Sequence, residues 1–200
     1  MAVQQQARKV RADAERSTAR ILEAAEEVLR LQPNAPLESI AEAAGLARAT
    51  VHRRFASRAS LEAALADRLD QRYVLALQEA RVRTAPPLVA FHRLNEIVFE
   101  LKLSHRYAMQ LNAPLSPAVL DGLDLLFVRL REVGAISATE PAWCRGVHLA
   151  LLHEVNALPS DSPELAGAAG SSETESRARL LTRCTLGALG GERDAELFRL

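Results

Sequence analysis

Aromatic side chains and cysteines are scarce in this sequence. Phe, Trp and Tyr make up 4% of the 200 residues, and the two cysteines are Cys144 and Cys184. Two distant thiols do not define a disulfide framework, so a reduced setting is the default expectation. No apolar run reaches the length of a membrane span, and residues 1–17 lack the apolar core of a signal peptide. We therefore expect a cytoplasmic protein with no membrane partner.

Signatures of catalysis and of metal binding are also missing. The sequence has no Gly-rich phosphate loop, no nucleophile elbow and no HExxH motif. Cys144 and His148 are four residues apart, but two ligands do not make a tetrahedral metal site. A packed thiol and a partly exposed imidazole are the expected alternative. We predict that the protein is not an enzyme and holds no cofactor or metal.

The remaining residues form an ordinary globular composition, 48% hydrophobic and 25% charged, with a net charge of zero. Apolar residues recur at helical spacing in most segments, and no segment alternates apolar and polar residues as a strand would. Prolines and glycines such as Pro33, Pro86 and Gly134 separate these segments. We predict an all-α fold of about nine helices.

The stretch from Pro36 to Leu61 predicts two short helices joined by a tight turn. The apolar face of the first helix consists of Leu37, Ile40, Ala41 and Ala44. Gly45 follows, where positive φ can end a helix. A second helix is predicted from Arg48 to Phe55, with Val51 facing inward. This is the pattern of a helix-turn-helix.

The outer face of the second helix is basic. Between Arg48 and Arg58 there are four arginines and one histidine but no acidic residue. A solvated helix face usually mixes both signs, whereas DNA binding needs cations on phosphates and side chains at base edges. Residues 1–60 also carry a net charge of +3 and the remainder −3. This asymmetry suits a DNA-binding protein.

The stretch resembles the N-terminal motif of the tetracycline-repressor (TetR) family of bacterial transcriptional regulators. The resemblance rests on Ile40-Ala41, Ala44-Gly45-Leu46, Thr50, Phe55, Arg58 and Leu61. The chain departs from the family pattern where Ala47 replaces a capping Ser, His52 a Tyr and Arg54 a His. The motif covers about residues 17–65, and beyond it only helical layout and length agree.

These residues define a predicted DNA-binding surface. Arg48 and Arg53 are predicted to reach bases in the major groove, and Ala49 is small enough to lie against a thymine methyl. The resemblance implies that the remaining residues contact phosphates: Thr50, His52, Arg54 and Arg58.

The chain is predicted to have three parts. Residues 1–16 are polar and mixed in charge, so we expect a disordered arm, for which minor-groove binding is the alternative. Residues 17–60 form the predicted helix-turn-helix domain. Residues 61–200 form the predicted effector-binding and dimerisation domain.

The resemblance implies a small-molecule cavity among the C-terminal helices. Such cavities are mostly apolar with a few polar groups. The predicted walls are Phe91, Phe99, Tyr107, Leu126, Phe127, Trp143, Val147 and His148. Further candidate polar groups are His92, Arg93 and Asn95. Plain core packing is the alternative for each aromatic residue, and the sequence does not identify the ligand.

A homodimer is expected, because one helix-turn-helix contacts too few base pairs for tight specific binding. The last helix carries a broad stripe of apolar and small residues, and the resemblance implies that the helix from Trp143 to Leu158 joins it at a two-fold axis. The predicted interface residues are Val147, Leu151, Val155, Leu181, Cys184, Thr185 and Ala188. The alternative is that this stripe completes the core of a monomer.

Taken together, these features predict a homodimeric regulator of double-stranded operator DNA, most simply a repressor released by a small-molecule effector. Two alternatives stay open. One is an activator or a regulator without an effector, and the other is an enzyme or accessory protein with an incidental helix-turn-helix.

Overall fold

The computed structural model describes residues 1–104, 107–108, 111, 113–166 and 171–191. Within these ranges it contains eight α-helices, a 3₁₀ turn at Pro163–Leu165 and no β-strand. The helices are α1 (Ala2–Leu31), α2 (Leu37–Ala43), α3 (Arg48–Arg54), α4 (Arg58–Glu79), α5 (Pro87–Ser104), α6 (Pro117–Glu132), α7 (Pro141–Ala157) and α8 (Glu173–Ala188). The predicted all-α fold is confirmed. About nine helices were predicted, against the eight found within the described ranges.

The described residues divide into two compact units. The first unit draws on residues 1–69 and 105–113, and the second on residues 70–104 and 114–200. These boundaries differ from the predicted ones in two respects. The segment expected to be a disordered arm forms the first half of α1, and α4 contributes to both units.

The first unit has a small core of aliphatic side chains. Its most deeply buried members are Ile21, Ala25, Leu29, Ile40, Val51 and Leu61, each 0% exposed. α2 packs against both α1 and α3. Pro36 lies directly before α2 with φ −72°, where the lack of an N–H donor costs nothing. The backbone of this unit therefore follows its local sequence signals.

The second unit is held by a larger apolar core. α8 packs against α5 and α7, and α6 also packs against α5 and α7. Phe91, Leu126 and Phe127 are at most 1% exposed. α6 also approaches α4 closely at Gly122, where a Cβ atom would lie 2.6 Å from Cδ1 of Leu77. Only glycine allows this approach without moving the leucine.

Two arginines bind backbone carbonyls in the second unit, one set at a helix end and the other in the turn between α4 and α5. Arg177 of α8 donates to the backbone carbonyls of Val155 and Leu158 at the end of α7. Arg129 of α6 donates to the carbonyl of Val82 and, at 2.8 Å, to that of Ala85. The last carbonyls of a helix have no partner within the helix, so Arg177 stabilises the end of α7.

Candidate DNA-binding surface and ligand cavity

The turn between α2 and α3 depends on Gly45. Its φ of +61° lies in the left-handed region, which residues with a Cβ rarely adopt. The Gly45 N–H donates to the carbonyl of Glu42 at 2.9 Å. Nη2 of Arg20, on α1, donates to the carbonyl of Ala44 at 2.6 Å. The end of α2 is thereby fastened to α1, and this fixes where α3 begins.

α3 turns its apolar residue inward and its basic residues outward. Val51 is 0% exposed, and Thr50 is half-buried. The exposed residues of the helix are Arg48, Ala49, His52, Arg53 and Arg54. The side chains of the three arginines make no hydrogen bond or ion pair with the part of the chain that the structure describes. The structure thus brings six of the seven predicted DNA-contacting residues together on one short helix.

His52 has an acidic neighbour that the sequence did not predict. Its Nε2 lies 3.3 Å from Oε1 of Glu38 on α2. A hydrogen bond from the backbone N–H at Glu38, and then the bond to His52, lower the pKa of this carboxyl group. Glu38 therefore places a negative charge beside the basic surface of α3. The two residues are 14 positions apart, so no helical spacing reveals the pair.

Arg58, the seventh predicted residue, is bound inside the first unit. Its Nε donates to Oε1 of Glu62, and its Nη1 donates to the carbonyl of Ala35, both at 2.8 Å. Its Nη2 donates to the carbonyl of Pro33 and to the Tyr107 hydroxyl. Four of the five N–H groups of Arg58 are thus paired. This geometry gives Arg58 a positioning role and no support for the predicted phosphate contact.

Tyr107 was predicted to line the effector pocket, but it belongs to the first unit. Its hydroxyl donates to Oε1 of Glu62 at 2.7 Å, and its backbone N–H donates to Oε1 of Glu26 at 2.7 Å. Burial raises the pKa of Glu26, although the backbone N–H groups of Ala108 and Tyr107 act against this rise. Tyr107 therefore connects a distant part of the chain to α1 and α4.

The second unit contains a cavity of about 60 Å³. Its walls come from α4, α5, α6, α7 and the residues that precede α6. The lining residues are Tyr73, Leu77, Leu94, Val98, Leu115, Val119, Leu123, His148, Leu149 and Leu152. The lining is mostly apolar, as expected, but His148 is the one member of the predicted set that borders this cavity.

The other predicted pocket residues of the second unit lie elsewhere. Four are packed in the core with at most 2% exposure, and these are Phe91, Phe99, Leu126 and Phe127. Trp143 is 64% exposed on α7, and Val147 is half-buried outside the cavity lining. The sequence-based prediction assigned the walls of the pocket to large side chains. Here the buried aromatic rings fill the core, and the cavity forms between aliphatic side chains.

His148 is the buried polar group at the cavity. It is 3% exposed, and its ring centroid lies 5.2 Å from that of Phe91 and 5.8 Å from that of Phe127. Its Nδ1 lies 3.3 Å from Oγ1 of Thr185. Burial lowers the pKa of His148 to about 4, so the ring is neutral at pH 7. The expectation of a partly exposed imidazole was wrong, because this face of α7 turns toward the core.

The remaining polar candidates have partners away from the cavity. Nδ2 of Asn95 donates to the Thr182 hydroxyl at 2.9 Å, and Nδ1 of His92 lies 3.3 Å from the same hydroxyl. Arg93 pairs with Glu79 at 2.9 Å. None of the three candidates borders the cavity.

The predicted dimer residues separate into two groups. Val155, Leu181 and Thr185 are at most 5% exposed within one protomer, so they complete its core. The residues that keep some exposure are Val147, Leu151, Cys184 and Ala188. The stripe is narrower than the sequence suggested, because one side of it already packs against neighbouring helices.

An exposed face of α7 was missed as an interface candidate. Trp143 stands at its start, and Gly146 and Ala150 follow one and two turns later, both exposed. A Cβ atom at Gly146 would meet nothing within 4 Å. The spacing of these residues indicates the face, but the sequence-based prediction places Trp143 in the pocket.

The described ranges offer no metal site and no membrane span. No three His, Cys, Asp or Glu residues within them are grouped so as to hold a metal ion. None of the helices described is both long and apolar enough to cross a bilayer. Cys144 is buried, and burial raises the pKa of its thiol.

Comparison with known proteins agrees with this architecture. Residues 21–65 match the family of bacterial regulatory proteins called the tetR family. The TetR family transcriptional regulator PfmR from Thermus thermophilus is 20% identical, with a TM-score of 0.66 over 86% of this chain and 99% of PfmR. No curated protein matches the chain.

Two further structures have the same fold. The TetR-like regulator LfrR from Mycobacterium smegmatis, solved with proflavine, is 24% identical over 87% of this chain and 95% of LfrR, with a TM-score of 0.58. RolR, solved with resorcinol, is 16% identical over 94% of this chain and 93% of RolR, with a TM-score of 0.57. Residues 21–65 thus match the tetR family, and the fold is that of solved TetR-family regulators, which confirms the resemblance.

Proposed function

We propose that the protein is a homodimeric repressor that binds operator DNA through α3 and is released by a small molecule bound in its second unit. The exposed surface of α3 carries this proposal. Arg48, Arg53 and Arg54 are exposed there and form no hydrogen bond or ion pair within the described chain, on a helix positioned by the Gly45 turn. A cytoplasmic location follows, because operator DNA lies in that compartment.

The contacts to DNA divide by residue type. Arg48 and Arg53 are assigned to base edges, where an arginine can bind guanine through two hydrogen bonds, and Ala49 to a thymine methyl. The residues assigned to phosphates are Thr50, His52 and Arg54. Arg58 is left out of this set, since its donors are used within the first unit.

The proposed dimer uses the exposed sides of α7 and α8. Two recognition helices must lie about 34–36 Å apart to enter successive major grooves, so a symmetric contact is required. Trp143 is the largest exposed aromatic side chain in the described chain, and such residues often anchor interfaces. The other interface residues proposed are Val147, Ala150, Leu151, Cys184 and Ala188.

The effector site is proposed to be the cavity beside His148. Its apolar lining with one buried polar ring fits the general character of small-molecule sites. LfrR and RolR were solved with small organic molecules, proflavine and resorcinol, which supports a ligand-binding role for this fold.

A gel-shift titration against the DNA upstream of the protein's own gene tests DNA binding. Arg53→Ala should weaken specific binding by roughly 1–3 kcal/mol and relax the preference at one base pair. Arg72→Ala is the matched control, because Arg72 is an exposed arginine of the second unit. If the two variants bind alike, or if binding to the upstream DNA shows no salt dependence, the assignment of α3 fails.

Sedimentation of Trp143→Glu tests the dimer. We expect the wild type to run as a dimer and Trp143→Glu as a 21.8 kDa monomer at micromolar concentration. Val133→Glu is the control, because Val133 is similarly exposed, at 57%, but lies at the end of α6. A monomeric wild type that still binds its operator tightly would rule out a preformed dimer.

A further inference from the structure

The cavity lining indicates what kind of molecule it accepts. Eight of its ten residues are aliphatic, and the other two are Tyr73 and His148. No residue with a formal charge at pH 7 borders the space. An ion placed here would lose its hydration and find no counter-charge, which is costly. The lining therefore favours an uncharged molecule.

The hydrogen bonds around His148 determine which ring nitrogen carries the proton. Thr185 is 0% exposed, and the described chain offers its hydroxyl one partner, Nδ1 of His148 at 3.3 Å. One turn earlier on α8, Thr182 instead donates to the carbonyl of Ala178 at 2.8 Å. The Thr185 proton must therefore point at Nδ1. A neutral ring whose Nδ1 accepts carries its own proton on Nε2.

The Nε2–H group of His148 has no acceptor in the described part of the chain. The ring packs near Phe91 and Phe127, which offer no oxygen or nitrogen. Polar groups of buried residues are nearly always paired, with protein or with water. His148 also borders the cavity, so the cavity is where the missing acceptor can be placed.

We infer that this cavity binds an uncharged, mainly apolar molecule with one hydrogen-bond acceptor, such as a ketone or ether oxygen, which accepts from Nε2–H of His148. The neutral ring acts as a donor rather than as a cation, because it is buried among apolar and aromatic side chains. The role of this molecule as the effector rests on the proposed function. Its chemical class depends only on the cavity.

The size of the cavity links binding to a change of shape. A volume of about 60 Å³ is smaller than the roughly 150 Å³ cavity known to hold benzene. A ring-sized ligand must therefore bind an expanded form of the second unit and shift the population toward it. The wall residue Leu77 cannot retreat toward α6, because its Cδ1 already packs against Gly122.

Cyclohexanone and methylenecyclohexane provide a matched pair of probes. The two molecules have the same shape, but cyclohexanone carries an oxygen acceptor where methylenecyclohexane carries a methylene group. Their dissociation constants are measured by NMR titration of the full chain, as wild type and as His148→Phe/Thr185→Val. Phe at position 148 keeps the volume of the ring. Val at position 185 removes the hydroxyl, which would otherwise lose its acceptor, Nδ1 of His148. The preference for the ketone over the alkene should fall about three- to tenfold in the double variant.

Thr182→Val is the control for this titration. Thr182 is as deeply buried on α8, at 4% exposure, but does not border the cavity. Its removal should leave the ketone preference unchanged. An equal fall in both variants would overturn the inference, as would tighter binding of cyclohexanecarboxylate or cyclohexylammonium than of cyclohexanone. No saturable binding of any probe would also overturn it.

The tautomer of His148 can be read directly from ¹⁵N-edited imidazole spectra of the wild type. We expect the proton on Nε2, and a proton on Nδ1 would overturn the donor assignment even if the double variant does not fold. A different result would refute the proposed function. Ketone binding without DNA binding in the gel shift would refute the regulator and leave the ligand class standing.

Discussion

The two units use polar side chains in opposite ways. On α3 of the first unit, basic side chains are exposed and share one surface. In the second unit the polar residues Asn95, His148, Thr182 and Thr185 are at most 4% exposed and are uncharged at pH 7. An exposed basic surface attracts a charged polymer through long-range forces. In the proposed ligand site the neutral ring of His148 would instead act through one short contact, so changes in the two regions should affect different measurements.

The largest effect is expected in the core of the second unit. Phe127→Ala should lower the free energy of unfolding by about 3–5 kcal/mol, because a 1% exposed ring packed against Phe91 and His148 leaves a cavity. Urea denaturation followed by circular dichroism measures this loss. Val133→Ala, at an exposed position, should change stability little. Similar losses for both would show that the aromatic cluster does not hold this core.

A pH-dependent loss of stability is the next largest effect. The pKa of His148 is about 4 in the folded protein, below its ordinary value of 6.5, so the folded state binds the proton less well than the unfolded state. The stability from this depressed pKa is present above pH 6.5 and is lost as the pH falls toward 4. Wild type should lose about 2 kcal/mol between pH 7 and 5 relative to His148→Phe/Thr185→Val. Parallel stability curves for the two proteins would contradict the burial of a neutral ring.

Substitution of Arg58 tests whether this residue positions its neighbours in the first unit or contacts DNA. Arg58→Met should lower the free energy of unfolding by about 1–3 kcal/mol, because Glu62, Tyr107 and the carbonyl of Ala35 lose their donor. The salt dependence of DNA binding should stay the same. Arg54→Met should do the reverse, lowering the salt slope by about one unit with little loss of stability. A lower salt slope for Arg58→Met would instead support the phosphate contact predicted from the sequence.

The smallest effect concerns the acidic residue beside α3. Glu38→Gln removes the negative charge next to His52 and should tighten DNA binding about two- to fivefold at low salt. Glu42→Gln is the control, because Glu42 is an exposed acid of the same helix without a histidine partner in the described chain. Equal tightening in both variants would show that the effect comes from net charge alone. Weaker binding by Glu38→Gln would show that the pair orients His52 for its contact.

Local features of the fold could be predicted because their causes lie within a few residues. Gly45 ends α2 through its own backbone freedom, and Pro36 marks where that helix begins. Val51 faces inward at helical spacing, and this places the neighbouring arginines outward. The helix-turn-helix and its basic face were therefore visible in the sequence.

What the sequence determined by itself is the set of helices and the face of α3 that carries the basic residues. Only the tertiary structure decided that Arg58 binds Tyr107, 49 residues away, and that His148 rather than Trp143 borders the cavity. Helical periodicity shows which face of a helix is apolar. It does not show which side chains that face meets, because those partners come from distant segments and depend on how the helices pack.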